Sequence, residues 1–286
     1  MENKRLYSPS QVRQVLDRHG FTFSKGLGQN FLIDGNIVRK IVKSADITKD
    51  DYVLEIGPGM GTLTEELALN AKKVIAIEID ERLRPVLSET LEPYGNVEVV
   101  YGDVLKLPLR DIIEDKCQGQ SVKVVANLPY YVTTPIIGRL IEEDLPLQSI
   151  SVMVQKEVAD RMVAKPHTKD YGPLTLFVGF YTEPRIMMKV PKTVFMPQPK
   201  IDSSVIKLDV RKELPDTDRD SYFKLVRAAF SKRRKTLINA LSTYGLLADR
   251  EEIREALKRA GIEETVRGED LEMDDYVRLA RELPNL

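Results

Sequence analysis

Between residues 52 and 154, short apolar runs rich in β-branched residues alternate with stretches of helical period. The runs are YVLEI (52–56), VIAIEI (74–79), VEVVY (97–101), VKVVA (122–126) and SISVMV (149–154). The intervals predict a helix ending near Asn70, another between 79 and 97, a loop or short helix after 101, and a helix near 134–143. Apolar strands separated by helices predict a mostly parallel sheet covered on both faces. Upstream, a short helix is expected with Ser8 as N-cap, Pro9 at its first position and Gln11 closing a capping box. Val12, Val15 and Leu16 share one of its faces, and Gly20 stops it. A second helix is expected from Asp34, with Ile37, Val38, Ile41 and Val42 as its apolar stripe. The segment KGLGQNFLID (25–34) between them reads as a loop, although it carries Phe31 and Leu32. Downstream, PRIMMKV and SSVIKLDV flank the Pro-rich FMPQPK and predict an antiparallel hairpin near one sheet edge. The polar break RKELPDTDRDS (211–221) precedes helical periodicity only, as in YFKLVRAAF and EEIREALKRAG. We expect two domains, residues 1–210 and a small all-helical domain over 216–286.

Composition narrows the chemistry. The 286 residues, 42% hydrophobic and 30% charged, exclude intrinsic disorder and collagen-like or mucin-like chains. No run approaches the roughly 18 apolar residues of a spanning helix, and MENKRLYSPSQVRQVL lacks the apolar core of a signal peptide. The expectation is a cytoplasmic protein without membrane association. The single cysteine, Cys117, fits a reducing compartment and cannot build a disulfide or a cysteine zinc site. Two histidines, His19 and His167, leave almost no material for metal hydrolysis or a Ser-His-Asp triad. No metal is expected, and the chemistry must come from an organic cofactor. The net charge of −1 conceals two acid-free basic stretches, 184–201 and 227–235, that suit a polyanion.

The turn after the first strand of the sheet reads Glu55-Ile56-Gly57-Pro58-Gly59-Met60-Gly61. Glycines there let the backbone approach a ligand, and the helix that follows offers free N–H groups. The spacing is G-x-G-x-G with an acid two residues before it, which differs from the G-x-G-x-x-G of dinucleotide enzymes and favours S-adenosylmethionine. Glu78 ends the next strand, 21 residues beyond Gly57, where a carboxylate accepts ribose hydroxyls; NAD would use the same acid. Asp103 follows the third strand, placed either to accept from the adenine amine or merely to cap the next turn.

Asn127-Leu128-Pro129-Tyr130 stands at the carboxyl end of the fourth strand, beside the expected reversal of the sheet's winding. Alone, N-L-P-Y would be an ordinary proline turn with a packing tyrosine. At this position it suits an exocyclic amine on a planar ring. Such an amine is a poor nucleophile because its lone pair is delocalised, so hydrogen-bond acceptors, rather than a strong base, are required. The Asn127 side-chain oxygen and the Leu128 carbonyl would take its N–H groups, Pro129 would stiffen the turn, and Tyr130 would stack on the base.

These motifs resemble the ribosomal RNA adenine N6-dimethyltransferase family over nearly the whole chain. The matching pieces include GQNFLID (28–34), VLEIGPGMGTLTE (53–65), IEID (77–80), GDVLKLPL (102–109), NLPYYVTTPII (127–137), MVQKEVADRM (153–162), TVFMPQPKIDSSVI (193–206) and AAFSKRRKTLINAL (228–241). Within the family, the chain is similar to the bacterial enzymes that act on 16S rRNA. The resemblance implies an α/β fold of the class I S-adenosylmethionine-dependent type, a Rossmann-like, mostly parallel seven-stranded sheet with a helical C-terminal domain. It implies cofactor contacts from Asn30, Leu32, Gly57, Gly59, Glu78, Asp103 and Asn127, with GQNFL folding over the cofactor. It implies N6,N6-dimethylation of two adjacent adenosines in the 3′-terminal hairpin of 16S rRNA, on the 30S subunit or its precursor.

For the RNA itself, Phe195 is a second stacking candidate beside Tyr130, base stacking on an aromatic contributing about 1–3 kcal/mol; the alternative is a core phenylalanine before a proline turn. Lys232, Arg233, Arg234 and Lys235, with Arg227 upstream, form the densest positive cluster and on a helix would touch several phosphates. A short basic run is otherwise a solvated helix face or a targeting signal. Competing readings are an NAD-dependent oxidoreductase, which lacks the glycine spacing and a Tyr-x-x-x-Lys pair, a 23S rRNA methyltransferase with similar motifs, and a non-catalytic assembly factor. Nothing in the sequence calls for an obligate partner chain, and a monomer is expected.

Overall fold

The structure, a computed structural model, describes residues 5–24, 26–232, 234–245 and 248–283. In chain order the elements are α1 (Pro9–Arg18), β1 (Phe31–Leu32), α2 (Gly35–Ser44), β2 (Tyr52–Ile56), α3 (Thr62–Asn70), β3 (Lys73–Glu78), α4 (Arg84–Thr90), β4 (Val97–Tyr101), α5 (Leu109–Cys117), β5 (Val122–Asn127) and α6 (Thr133–Glu142). They continue as β6 (Leu147–Gln155), α7 (Lys156–Met162), α8 (Pro173–Tyr181), β7 (Thr182–Val190), β8 (Phe195–Met196), β9 (Ser203–Val210), α9 (Arg219–Phe230), α10 (Leu237–Ser242), α11 (Arg250–Arg259) and α12 (Met273–Glu282).

The seven-stranded sheet has the order β4-β3-β2-β5-β6-β9-β7. Strands β2 to β6 pair in parallel, and β9 runs antiparallel to β6. The chain moves outward from β2 to β4, then returns to the other side of β2 with β5, so the winding reverses between β2 and β5. A ligand crevice forms outside the carboxyl ends of strands at such a point. Every residue of β2 is buried, as a strand covered on both faces requires. On one side Val38, Ile41 and Val42 of α2 and Leu67 of α3 share a core with Val53, Val74 and Val125. A second core gathers Val12, Val15 and Leu16 of α1 with Val86 and Leu87 of α4.

One local expectation changes and one holds. Ser8 precedes α1, but its hydroxyl meets that of Ser10 at 2.8 Å and forms no cap bond, so the capping box is absent. Asp34 does cap α2, accepting from the N–H groups of Asn36 and Ile37.

The chain forms two compact units, Met1–Ala159 with Arg185–Val210, and Asp160–Pro184 with Arg211–Leu286. Residues 160–184 thus fall with the C-terminal helices rather than inside a continuous 1–210 domain. The cause is aromatic: the Phe180 ring of α8 lies 4.6 Å from that of Tyr222, and Phe177 lies 5.6 Å from Phe223. Tyr171 and Tyr276 complete this core by donating their hydroxyls to the Leu271 and Gly268 carbonyls at 2.6 and 2.7 Å. No helix among the described residues is long and apolar enough to cross a membrane.

Candidate active site

The carboxyl ends of β2, β3 and β5 and the loop 27–32 line one cleft, with about 770 Å³ of space partly open to solvent. Gly57 and Gly59 form its floor with φ of +71° and +61°, values that side chains other than glycine rarely adopt. A Cβ on Gly59 would also stand 2.8 Å from the Phe31 ring, so the tight approach of turn and loop demands glycine.

Glu78, buried at the end of β3, fastens this turn. One carboxylate oxygen accepts the Gly59 N–H at 3.1 Å and the other accepts the Asp80 N–H at 2.8 Å. Burial raises its pKa, and those backbone donors oppose the shift. Each oxygen retains a lone pair for a sugar hydroxyl. Glu55, 1% exposed on β2, also lines the cleft, and its Oε2 has no hydrogen-bond partner among the described residues. Burial, reinforced by the charge of Glu78 and opposed by the Thr64 hydroxyl, pushes its pKa up to about 8. Ile79, 50% exposed, offers an apolar face at the same rim. Glu55 is the acid noted two residues before the glycine turn, whereas Ile79, although inside a quoted motif, carries no chemical mark in the sequence.

The loop is tied down at several points. The Gln29 side chain accepts the Ser24 N–H at 2.9 Å and donates to Asp80 at 2.7 Å. Asp80 in turn takes two side-chain hydrogen bonds from Arg82, which hold its carboxyl below the usual range. Phe31 and Leu32, read as loop from sequence, form the short strand β1, paired antiparallel with Phe195 and Met196 of β8. Asn30 and Leu32 line the cleft, and the Asn30 amide folds back onto the Gly28 carbonyl at 2.9 Å.

Asn127, Leu128, Pro129 and Tyr130 complete the wall at the end of β5. The Asn127 amide nitrogen donates to the Asn30 carbonyl at 2.9 Å. Only the nitrogen can face a carbonyl, so this bond fixes the amide orientation and leaves Oδ1 as an acceptor. The Pro129 carbonyl accepts the Val132 N–H at 3.2 Å and the Thr133 hydroxyl at 3.1 Å, making the turn rigid. Tyr130 is half-buried, its hydroxyl 2.7 Å from that of Ser203, and burial raises its pKa.

Three expectations are not met. Asp103 does not line the cleft: its carboxylate accepts the Leu105 N–H at 2.9 Å and lies 3.5 Å from Lys106, the turn-capping alternative. Phe195, 3% exposed, sits in the apolar core with Leu32 and Val194 and not on the cleft wall, because its pairing with Leu32 draws the ring inward. In the second unit, Lys232, Arg234 and Lys235 are exposed in the connection after α9 and not on a helix, with Arg227 exposed on the last turn of α9. Arg233 lies outside the described residues.

Comparison with solved structures defines the class. A dimethyladenosine transferase from Plasmodium falciparum superposes with a TM-score of 0.75 at 29% identity, covering 87% of this chain and 95% of that one. The 23S rRNA methyltransferase ErmE gives 0.68 at 29% identity over 89% and 99%. The fold and cleft are those of a class I methyltransferase. The family model for ribosomal RNA adenine dimethylases matches residues 20–285, and the chain belongs to that family. It is 53% identical over 281 residues, 98% of each chain, to the ribosomal RNA small subunit methyltransferase A of Alkaliphilus metalliredigens (strain QYMF). The protein of the same name from Clostridioides difficile (strain 630) is 50% identical over 95% of this chain and 94% of its own.

The protein is therefore an S-adenosylmethionine-dependent methyltransferase of adenine in ribosomal RNA. The cleft fits that donor: a side-chain-free turn of glycines at positive φ, a carboxylate with free lone pairs, and a buried acid with one unpartnered oxygen able to meet a cationic ligand. Among the described residues no cluster of three His, Cys, Asp or Glu side chains could hold a metal ion.

Proposed function

We propose that the chain dimethylates N6 of two adjacent adenosines in the 3′-terminal hairpin of 16S rRNA, acting as a cytoplasmic monomer on the 30S subunit or its precursor. The observation that carries this reading is the single cleft in which Gly57, Gly59 and Glu78 face Asn127–Tyr130, with the Asn127 oxygen freed by its amide bond to Asn30. Gly57, Gly59 and Glu78 would hold the donor, Ile79 would meet its planar ring, and Asn30 and Leu32 would close over it. The donor supplies an electrophilic methyl group.

The rest of the chemistry belongs to the chain. Asn127 Oδ1 and the Leu128 carbonyl accept from the exocyclic amine, draw its lone pair out of conjugation with the ring, and stabilise the positive charge that develops on nitrogen. Pro129 holds those acceptors in register, and the Tyr130 ring receives the extruded base. Phosphates are met by Arg227, Lys232, Arg234 and Lys235 of the second unit, with Arg233 completing the sequence cluster.

The small-subunit substrate is supported by the 53% identity to a small subunit methyltransferase, against 29% to a 23S enzyme. Labelled methyl transfer to undermethylated 30S particles, with 50S particles and naked 16S rRNA in parallel, tests it. Mass spectrometry of the modified fragment should show two methyls on each of two neighbouring adenosines. Preferential labelling of 50S particles would transfer the substrate assignment to 23S rRNA.

A further inference from the structure

Tyr131 follows the acceptor tetrapeptide directly and is not used by the mechanism above. It is 61% exposed, and its ring does not line the cleft. Tyr130, its neighbour, is half-buried with its hydroxyl engaged. Isolated surface aromatics need no explanation in general; this one is held in place at the rim of the site. Pro129 fixes the chain before it, and the Val132 N–H and Thr133 hydroxyl both close onto the Pro129 carbonyl. The ring rests on the cofactor-side loop: a Cβ on Gly28 would lie 3.3 and 3.4 Å from two of its carbons, and Gly28 has a φ of +58°. Tyr131 therefore spans the seam between loop 27–32 and the acceptor turn while remaining largely exposed.

We propose that the Tyr131 ring is a substrate-positioning platform on which an unpaired nucleobase adjoining the target adenosine stacks. The inference rests on the acceptor reading of Asn127–Tyr130 and deepens it. Turning one adenosine into the cleft strips its neighbour of a stacking partner. An aromatic face just outside the pocket replaces that partner for any base, since every base has a π-face. It also restricts the substrate to single-stranded loops, where the flanking base is free to move. Phe195, buried in the core, is not available for this role, whereas Tyr131 is.

The test is steady-state methyl transfer by the full-length protein on undermethylated 30S particles, with S-adenosylmethionine affinity measured separately by calorimetry. Tyr131→Ala should raise KM for particles by about 10- to 100-fold, the size of one lost base stack, with donor affinity within twofold of wild type. Tyr131→Phe and Tyr131→Trp should restore the wild-type KM. Tyr131→Leu, which keeps apolar contact with Gly28 but no flat face, should behave as alanine does. An unchanged KM in Tyr131→Ala, a wild-type KM in Tyr131→Leu, or a parallel loss of donor affinity would each overturn the platform, the last by showing that the ring only props the loop. Asn127→Ala in the same assay separates this from the underlying reading: retained transfer there refutes the acceptor assignment whatever the Tyr131 series shows. If wild type prefers 50S particles, the same series on 50S decides the platform.

Discussion

The buried acid of the cleft gives the sharpest pH prediction. Glu55 is 1% exposed, its Oε2 lacks a partner, and its pKa is raised to about 8 from 4.5. In the unfolded chain the carboxyl releases its proton near 4.5, while the folded protein keeps it until about 8. Within that window the native state binds more protons than the unfolded state, so stability falls as pH rises, by about 1.4 kcal/mol per pH unit. Above about 8 both states are ionised and the loss levels off. Glu55→Gln mimics the neutral acid and does not titrate. Its advantage over wild type should be negligible near pH 4.5, grow to nearly 3 kcal/mol two units higher, and flatten beyond 8. At about 2–4 °C per kcal/mol for a chain of this size, the difference in Tm should widen by roughly 3–5 °C per pH unit. Parallel thermal melts of the two proteins from pH 5 to 9, read as a difference, cancel every titration they share. A flat difference would refute the assignment of a protonated Glu55. Saturating S-adenosylmethionine, a cation, should reduce the slope in wild type by favouring the ionised carboxylate.

Asn127→Ala should lower methyl transfer by at least about 100-fold, as for loss of a preorganised charge-stabilising group, while particle binding in a pull-down remains near wild type. Phe195→Ala should cost roughly 3–5 kcal/mol of stability, as for a core aromatic; an unchanged melt with weakened RNA binding would return Phe195 to a stacking role. Replacing Arg234 and Lys235 by alanine should weaken RNA binding at every salt concentration and reduce the slope of log K against log salt by up to about 2. Filter binding across a salt series measures it.

Much of the catalytic unit was legible because its signals are local. β-branched runs marked the parallel strands to within a few residues, and the glycine spacing and Glu78 pointed to residues that the structure gathers in one cleft. The tetrapeptide Asn127–Tyr130, which lines the same cleft, was legible for the same reason, since it is contiguous. What escaped depends on distant partners. Leu32 and Phe195 stand 163 residues apart, so neither the strand β1 nor the burial of Phe195 has a local mark. Asp103 was read toward the ligand, but a short carboxylate two residues before a free N–H satisfies that donor first. Lys232–Lys235 lie between two stretches of helical period, yet like charges three apart oppose a helix, and α9 ends at Phe230. Residues 160–184 read as part of the first domain because only the three-dimensional meeting of Phe180 with Tyr222 reveals their allegiance.

The short ribbon between β1 and β8 has a consequence for turnover. One strand belongs to the loop that lines the cleft; the other leads through the proline-rich arm to Ser203, whose hydroxyl lies 2.7 Å from that of Tyr130. With the donor bound as proposed, its release would require this loop to lift, and lifting it would pull on the arm and so on Tyr130. Because such coupling is reciprocal, a base lodged against Tyr130 would steady the loop. Refilling and regripping would thereby be geared together, a property that suits the repeated methyl transfer of the proposed function.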